Sequence, residues 1–380
     1  MNNSTVVQTS SDSSYYYVEI TETISKIVSP IILILCGIGN SLSFFVLLTR
    51  RLRKQKTTCY LAVLCVVEVG TCFTGLLRQF LIDAFKIDIR AMDSFITNPY
   101  YLTMSCRIHI YLTYVFLRLS SVLLVIVTIQ RYLYVSKKCI CVQKRVFIQL
   151  FLIITTICLC ESHFFIYYEY TLSDTRPKSE QIMECTVNKE LYPHYYKFRS
   201  EYYGKVSLFL FTLLPFISMI IFNGLLMRTI HRSTIRSQGK KSSKKRNITR
   251  MLLTVSIFYT VLTSPASVYT ALAPPTIQLL PWYFIHWTLL RLLFYLCHSV
   301  NFLLYCVSGS IFRQEFVAMI CCRSSSQHRR HTHQQLPKLT FSNTFVRCYS
   351  YSKRKIFGQE PTEYFDYLSR SKHNNDENCL

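Results

Sequence analysis

Turn-forming and acidic residues are scarce in this sequence. Its 380 residues include 9 glycines, 11 prolines and 20 acids against 43 lysines and arginines, and only 17% of them are charged. The sequence has no glycine-rich phosphate-binding loop, no metal-ligand spacing and no nucleophile with a base at a fixed offset. Half of the residues are apolar, which points to lipid rather than water as the solvent. We therefore expect neither an enzyme nor a bound metal or cofactor.

Long uncharged runs identify membrane spans. Residues 27–49 and 206–227 contain no charged side chain, and each run exceeds the roughly 20 residues that cross a bilayer core as a helix. Similar runs with a few ionisable residues bring the predicted number of spans to seven. We number them span 1 to span 7, at residues 27–49, 59–83, 105–135, 146–168, 204–230, 248–273 and 283–307. A soluble helical protein is the alternative, but so many apolar runs are hard to bury in a soluble chain of this size.

The loops between the spans differ in charge. The loops after spans 1, 3 and 5 contain lysine and arginine without any acid, whereas those after spans 2 and 4 contain both signs in equal number. The positive-inside rule therefore places the three basic loops in the cytoplasm and residues 1–26 outside as an extracellular tail. The formal net charge of +23 then reflects topology and contact with anionic lipid, and does not predict nucleic-acid binding.

The outer segments carry two candidate modifications. Asn2 and Asn3 begin overlapping glycosylation sequons in the N-terminal tail. Cys106 opens span 3 at its outer end, and Cys185 lies in the long outer loop between spans 4 and 5. Because both cysteines face the oxidising side, we expect a disulfide that holds this loop over the bundle.

After the seven-span bundle of residues 27–307, residues 308–322 form an amphipathic pattern. We expect a short eighth helix on the inner leaflet, followed by a disordered cytoplasmic tail at 323–380. Cys321 and Cys322 end the helix, and they are either palmitoylated or ordinary thiols.

Span 3 ends in Gln130, Arg131 and Tyr132, and this "QRY" together with Cys106 resembles the rhodopsin-like family of G-protein-coupled receptors. Other positions of the family pattern follow in order, namely Asn40, Glu68, Pro215, Pro265, Asn301 and Tyr305. The resemblance covers roughly residues 27–322. It implies a multi-pass plasma-membrane receptor that binds an extracellular ligand and activates a heterotrimeric G protein, with arrestin as a further partner.

Several positions depart from the family pattern. Gln130 replaces the acid that pairs with the arginine, so the resemblance implies a looser resting state and raised basal signalling. Arg131 either meets the G protein when span 6 moves or is a base that snorkels from the end of a span. Thr263 stands where a tryptophan is usual in span 6, and Phe302 replaces a proline in span 7.

A buried polar cluster is expected in the middle of the bundle. Glu68, Ser120 and Asn301 resemble the sodium site of the family. The alternative is a protonated Glu68 that is hydrogen-bonded to Asn40 or Asn301.

The ligand side of the bundle contains arginine rather than acid. Thr113 occupies the position that resembles the amine anchor, and Tyr295 the position of the retinal lysine, so amines and retinal are not expected. Arg78, with Gln79 beside it, and Arg291 are predicted to bind an anionic or carbonyl-rich ligand, although both could pair inside the bundle or reach lipid headgroups.

The end of span 7 resembles that of invertebrate neuropeptide receptors, which favours a peptide ligand. A chemosensory, lipid or organic-acid receptor is the alternative, as is a seven-helix transporter or channel with an anion path. Arg118, in the middle of span 3, has Glu161 of span 4 as a candidate partner.

Overall fold

The computed structural model describes residues 3–53, 56–90, 98–136, 146–172, 183–236, 240–272, 277, 280 and 282–320. These residues form helices and one β-hairpin. The α-helices are Asn3–Leu47, Arg50–Arg53, Lys56–Thr71, Leu77–Phe85, Pro99–Ser136, Val146–Cys160, Ser162–Tyr167, Pro193–Lys197, Tyr203–Leu208, Leu214–Arg236, Lys240–Leu272, Tyr283–Ser299, Asn301–Ser308 and Ser310–Ile320. π-Helical turns connect some of them at Cys72–Leu76, Phe198–Tyr202 and Phe209–Leu213.

Within these residues, six helical stretches are long and apolar enough to cross a membrane, and a bent pair of helices makes a seventh. The observed spans 1 to 7 are Tyr16–Leu47, Thr57–Phe85, Pro99–Ser136, Val146–Tyr167, Pro193–Thr229, Thr254–Leu272 and the pair Tyr283–Ser299 with Asn301–Ser308. The structure therefore confirms the predicted all-α bundle of seven membrane spans.

Spans 1 and 5 begin well before their predicted starts. The helix of span 1 starts at Asn3, so most of the predicted tail 1–26 is helical. Two of its charged residues are paired, since Lys26 lies 3.2 Å from Glu22, which also lies 2.6 Å from Lys86. Pro193 begins the helical stretch of span 5 at a position where its missing N–H leaves no hydrogen bond unmade. A search for uncharged runs misses such charged ends of helices.

Span 7 bends by 51° between its two helices, at Val300. Backbone hydrogen bonding continues through the bend. The Val300 N–H donates to the Leu296 carbonyl at 3.1 Å, and the Leu304 N–H donates to the Val300 carbonyl at 3.0 Å. Phe302 occupies the position where proline was expected by resemblance, so the bend forms without proline.

A hairpin covers one end of the bundle, which we call the hairpin end. Strand β1, Tyr168–Leu172, pairs antiparallel with β2, Met183–Val187. The sulfurs of Cys106 and Cys185 are bonded, with 5.5 Å between the Cα atoms, so β2 is fixed to the start of span 3. Arg107 adds a 2.6 Å hydrogen bond to the Tyr168 carbonyl of β1.

The helix Ser310–Ile320 follows span 7, where an eighth helix was predicted. Ile311 and Phe312 are buried, and the Phe312 ring lies 5.4 Å from the ring of Tyr305. Asn2, Cys321 and Cys322 and the predicted tail 323–380 lie outside the described residues.

Candidate functional site

A cavity of about 400 Å³ lies among spans 2, 3, 5, 6 and 7. This volume is within the range of sites that bind small molecules or parts of larger ligands. Thr113, Pro215 and Tyr295 all line it, as does Thr263 at the position of the missing tryptophan. The charged residues that line it are Arg78, Arg90, Arg118, Arg199 and Arg291, and no acid occurs among the lining residues that the structure describes.

Both predicted ligand anchors line the cavity, but each already has an acidic partner. Arg78 donates two hydrogen bonds to Asp88, at 2.7 and 2.5 Å. Arg291 lies 3.5 Å from Asp83, which also accepts a 2.8 Å hydrogen bond from Gln79. The alternative of pairing inside the bundle thus describes these two arginines better than a role as unpaired anchors.

Asp88 lies in the segment after span 2, where it pairs with the side chain of Arg78. Its carboxylate also accepts a 3.0 Å hydrogen bond from the backbone N–H of Arg90. Burial raises the pKa of Asp88, but the hydrogen bonds and positive charge of Arg78 outweigh burial and hold that pKa below its ordinary value of 3.8. Burial, assisted by the charge of Arg78, lowers the pKa of Arg90 to about 10, so its guanidinium remains charged at neutral pH.

We expect the Asp88–Arg78 pair to make the stability of the fold depend on pH in the acidic range. A carboxyl with a lowered pKa in the folded state stabilises the fold above its unfolded pKa, and this contribution is lost as the pH falls through the folded pKa. The melting temperature of the purified chain in detergent should therefore fall more steeply below about pH 4 than that of Asp88→Asn. Exposed Glu190→Gln is the control, and it should follow the unsubstituted chain. Equal pH dependence in the chain and in Asp88→Asn would contradict the prediction.

Arg118 and Glu161 form the ion pair that the sequence suggested. The Arg118 Nε atom lies 3.3 Å from the Glu161 carboxylate, and their side chains are 11% and 3% exposed. Tyr203 closes the group, because its hydroxyl accepts from Arg118 at 3.0 Å and donates to Glu161 at 3.1 Å. Spans 3, 4 and 5 are thereby joined through one buried polar contact.

Arg199 is a cavity residue that the sequence analysis missed. Its guanidinium donates to the hydroxyls of Tyr168 and Tyr114, both at 2.9 Å, and lies 4.8 Å from the centre of the Tyr203 ring. In the sequence Arg199 lies in a predicted loop with equal numbers of acids and bases, so its charge did not distinguish it from an ordinary loop residue. The one available signal was the dense run of tyrosines around it, from Tyr192 to Tyr203.

The predicted polar cluster is assembled in the middle of the bundle. Glu68 is fully buried and accepts hydrogen bonds from Ser120 at 3.0 Å and from Asn301 at 3.4 Å. His298, which the sequence analysis missed, contacts the second carboxylate oxygen of Glu68 through Nδ1. Asn40 donates to the His298 carbonyl at 3.0 Å and so joins the cluster indirectly. The imidazole occupies one side of the carboxylate that was predicted to resemble a sodium site.

The end of the bundle opposite the hairpin contains the "QRY" residues. Arg131 is buried, with 5% of its surface exposed, and the ring of Tyr132 lies 5.8 Å from that of Phe222 in span 5. Gln130 donates to Gln149 of span 4 at 3.3 Å, so the residue that replaces the expected acid contributes to helix packing. Tyr305 is fully buried, and Pro265 lies within the continuous helix of span 6.

Comparison with known families agrees with this arrangement. The family model described as seven-transmembrane receptor (rhodopsin family) matches residues 39–308, which include Asn40, Glu68, Arg131 and Tyr305. No curated protein matches the chain. The matched region is more than half of the chain and contains the end of span 1 and all of spans 2 to 7. The chain is therefore a multi-pass membrane receptor and not an enzyme, and it belongs to the rhodopsin family of seven-transmembrane receptors.

Proposed function

We propose that the chain is a G-protein-coupled receptor of the plasma membrane that binds an extracellular neuropeptide. The observation that carries the proposal is the division of the bundle into three levels. The cavity lies among the spans, the Glu68 cluster is buried in the middle, and Arg131 is buried at the end opposite the hairpin. A ligand in the cavity and a G protein near Arg131 would thus act on the same helices.

The peptide part of the proposal rests on the cavity and on the end of span 7. The cavity combines aromatic walls, such as Tyr114 and Phe211, with hydroxyls and guanidiniums, which suits a ligand with both side chains and backbone carbonyls. In the proposed orientation the N-terminus and the hairpin are extracellular. Glycosylation at Asn2 or Asn3 would agree with that orientation.

Coupling is proposed to occur at the opposite end. There the G protein engages Arg131 and Tyr132 when span 6 moves away, and the basic loops contact the G protein and anionic lipid. The helix Ser310–Ile320 lies on the inner leaflet, with Cys321 and Cys322 as candidate palmitoylation sites. Arrestin is a further partner at this end.

Substitution of Arg131 is expected to abolish signalling. Cells that express Arg131→Ala at equal surface density should lose the calcium and cAMP responses that the unsubstituted receptor gives, both unstimulated and with a panel of neuropeptides. Exposed Lys205→Ala removes a positive charge that neither lines the cavity nor lies in a basic loop, and it should keep the response. Unstimulated output equal to that of mock-transfected cells would contradict the raised basal signalling that Gln130 predicts.

A response that survives Arg131→Ala would overturn the proposed coupling role. Anion currents or uptake that persist in Arg131→Ala would instead favour the transporter or channel alternative, because the arginine-lined cavity is also compatible with an anion path.

A further inference from the structure

The charges around the cavity do not balance. Three of its five arginines have acidic partners, since Arg78 pairs with Asp88, Arg291 with Asp83 and Arg118 with Glu161. Arg90 and Arg199 remain, and the structure pairs neither guanidinium with a carboxylate of a described residue. Among the described residues, the cavity therefore contains two guanidiniums that are not paired with a carboxylate.

The contacts of Arg199 orient its guanidinium without neutralising it. Both hydrogen-bond partners are tyrosine hydroxyls, Tyr114 and Tyr168. These two bonds use two of the five N–H donors of a guanidinium, so three remain for a ligand. The adjacent Tyr203 face contributes a favourable cation–π contact but no negative charge.

Arg90 adds a second positive charge beside the same tyrosines. Its Nε donates to a ring nitrogen of His109 at 3.0 Å, and this neutral acceptor does not compensate the charge. Tyr114 and Tyr168 lie within electrostatic range of both guanidiniums. Asp88 lies within electrostatic range of Arg90, but its carboxylate is hydrogen-bonded to Arg78. Both guanidiniums are partly buried, and a positive charge that is partly removed from water without a paired carboxylate is costly, so a ligand that brings a negative charge recovers part of that cost on binding.

We infer that the ligand presents a carboxylate to Arg199, within the positive field of Arg90. The inference rests on the proposed function, because it names the ligand chemistry of the same cavity. A carboxylate is planar and matches the paired N–H groups of a guanidinium, and charge-assisted bonds of this kind are the strong ones. The carboxylate belongs either to a peptide, as a free C-terminus or an acidic side chain, or to a small organic acid.

The same charges disfavour other ligand ends. A cationic amine would meet five guanidiniums and no lining acid among the described residues. An amidated C-terminus can accept hydrogen bonds from Arg199 but leaves its charge unpaired. The rings of Tyr114, Tyr203 and Phe211 surround Arg118 and Arg199, so an aromatic group next to the carboxylate is well suited to this part of the cavity.

The test compares two probes of nearly the same size and shape, one with a carboxylate and one with a neutral amide. N-acetylphenylalanine carries a carboxylate, and N-acetylphenylalanine amide is its neutral counterpart. Binding of each to the full-length receptor, purified in detergent, is measured by thermal shift over a concentration series. We expect the carboxylate to bind about tenfold or more tightly than the amide, as expected for hydrogen bonds to a charged group.

Substitution of Arg199 then tests whether this residue causes the preference for the carboxylate. Arg199→Gln retains a hydrogen-bond donor but removes the charge, and it should reduce the preference for the carboxylate to less than about twofold. Arg228→Gln is the matched control, because it makes the same change at an exposed site of the same span, and it should keep the full preference. If Arg199→Gln does not fold, the two probes still test the inference on the unsubstituted receptor.

Equal binding of the two probes, or no binding of the carboxylate, would overturn the inference. So would a preference that is unchanged in Arg199→Gln. A third comparison uses a tripeptide that ends in free phenylalanine and 3-phenylpropionate. Tighter binding of the tripeptide would identify a peptide carboxylate as the ligand group. Tighter binding of phenylpropionate would identify an organic acid. No G protein is present in this experiment, so its failure is distinct from a failure of the Arg131→Ala test.

Discussion

Replacement of Glu161 by alanine is expected to destabilise the receptor by about 3–5 kcal/mol, the usual cost when one partner of a buried ion pair is removed. The Glu161 side chain is 3% exposed, and its partner Arg118 is 11% exposed in the middle of span 3. Without the carboxylate, Arg118 keeps the Tyr203 hydroxyl and nearby ring faces but loses the acid that compensates its charge. A large fall in melting temperature in detergent and in surface expression should follow.

The control removes both charges at once. A double variant with methionine at 118 and 161 has no buried charge left without a partner, and replacement of a whole ion pair by apolar residues is often nearly neutral. We therefore expect the double variant to recover most of the stability lost in Glu161→Ala. If the double variant is as unstable as the single one, packing around Tyr203, and not the uncompensated charge of Arg118, explains the loss.

Gly75→Ala is expected to have the second large effect on stability. A Cβ atom at this position would lie 1.9 Å from the Tyr295 hydroxyl and 2.7 Å from the ring carbon that bears it. Gly75 lies in the π-helical turn Cys72–Leu76, and Tyr295 is 9% exposed, so the added methyl group must displace a buried ring. Overpacking of this kind typically costs about 1–3 kcal/mol, and occasionally more.

Another glycine provides the matched control. Gly224 lies in the helix Leu214–Arg236, and a methyl group added there would meet no atom within 4 Å apart from its own helix backbone and chain neighbours. Gly224→Ala should raise the melting temperature slightly, since alanine is favoured over glycine in a helix by up to about 1 kcal/mol. Tyr295→Phe in the Gly75→Ala background should restore part of the stability, because it removes the closest atom. A melting temperature for Gly75→Ala at or above that of the unsubstituted receptor would refute the close approach of spans 2 and 7.

The parts of the structure that were predictable from sequence are those set by local composition. Apolar runs located the seven spans, because a bilayer core requires about 20 apolar residues whatever the tertiary contacts. The ends of spans 1 and 5 were not predictable in this way. Glu22 in span 1 pairs with Lys86 just after span 2 as well as with Lys26, and the contact with Lys86 depends on packing and not on local sequence.

The candidate site was predictable in its residue types but less so in its pairings. Glu68, Ser120 and Asn301 were placed together by resemblance, whereas His298 was missed because a single histidine in an apolar run gives no sign of which face it occupies. Arg78 and Arg291 were recognised as unusual, but their partners Asp88 and Asp83 lie in segments whose charges resembled ordinary loop or span-end charges. The separation of paired from unpaired arginines, which carries the carboxylate inference, required the distances.

The bend in span 7 also lies close to both the cavity and the Glu68 cluster, so a change in the bend would affect both. His298 lies just before Val300 and Asn301 just after it, and both contact Glu68, so one carboxylate of span 2 bonds to the two sides of the bend. Tyr295, one turn before His298, lines the cavity. A ligand that favours one bend angle would therefore change how Glu68 divides its hydrogen bonds between these partners, and we expect a substitution at Glu68 that shifts the bend to change the affinity for that ligand.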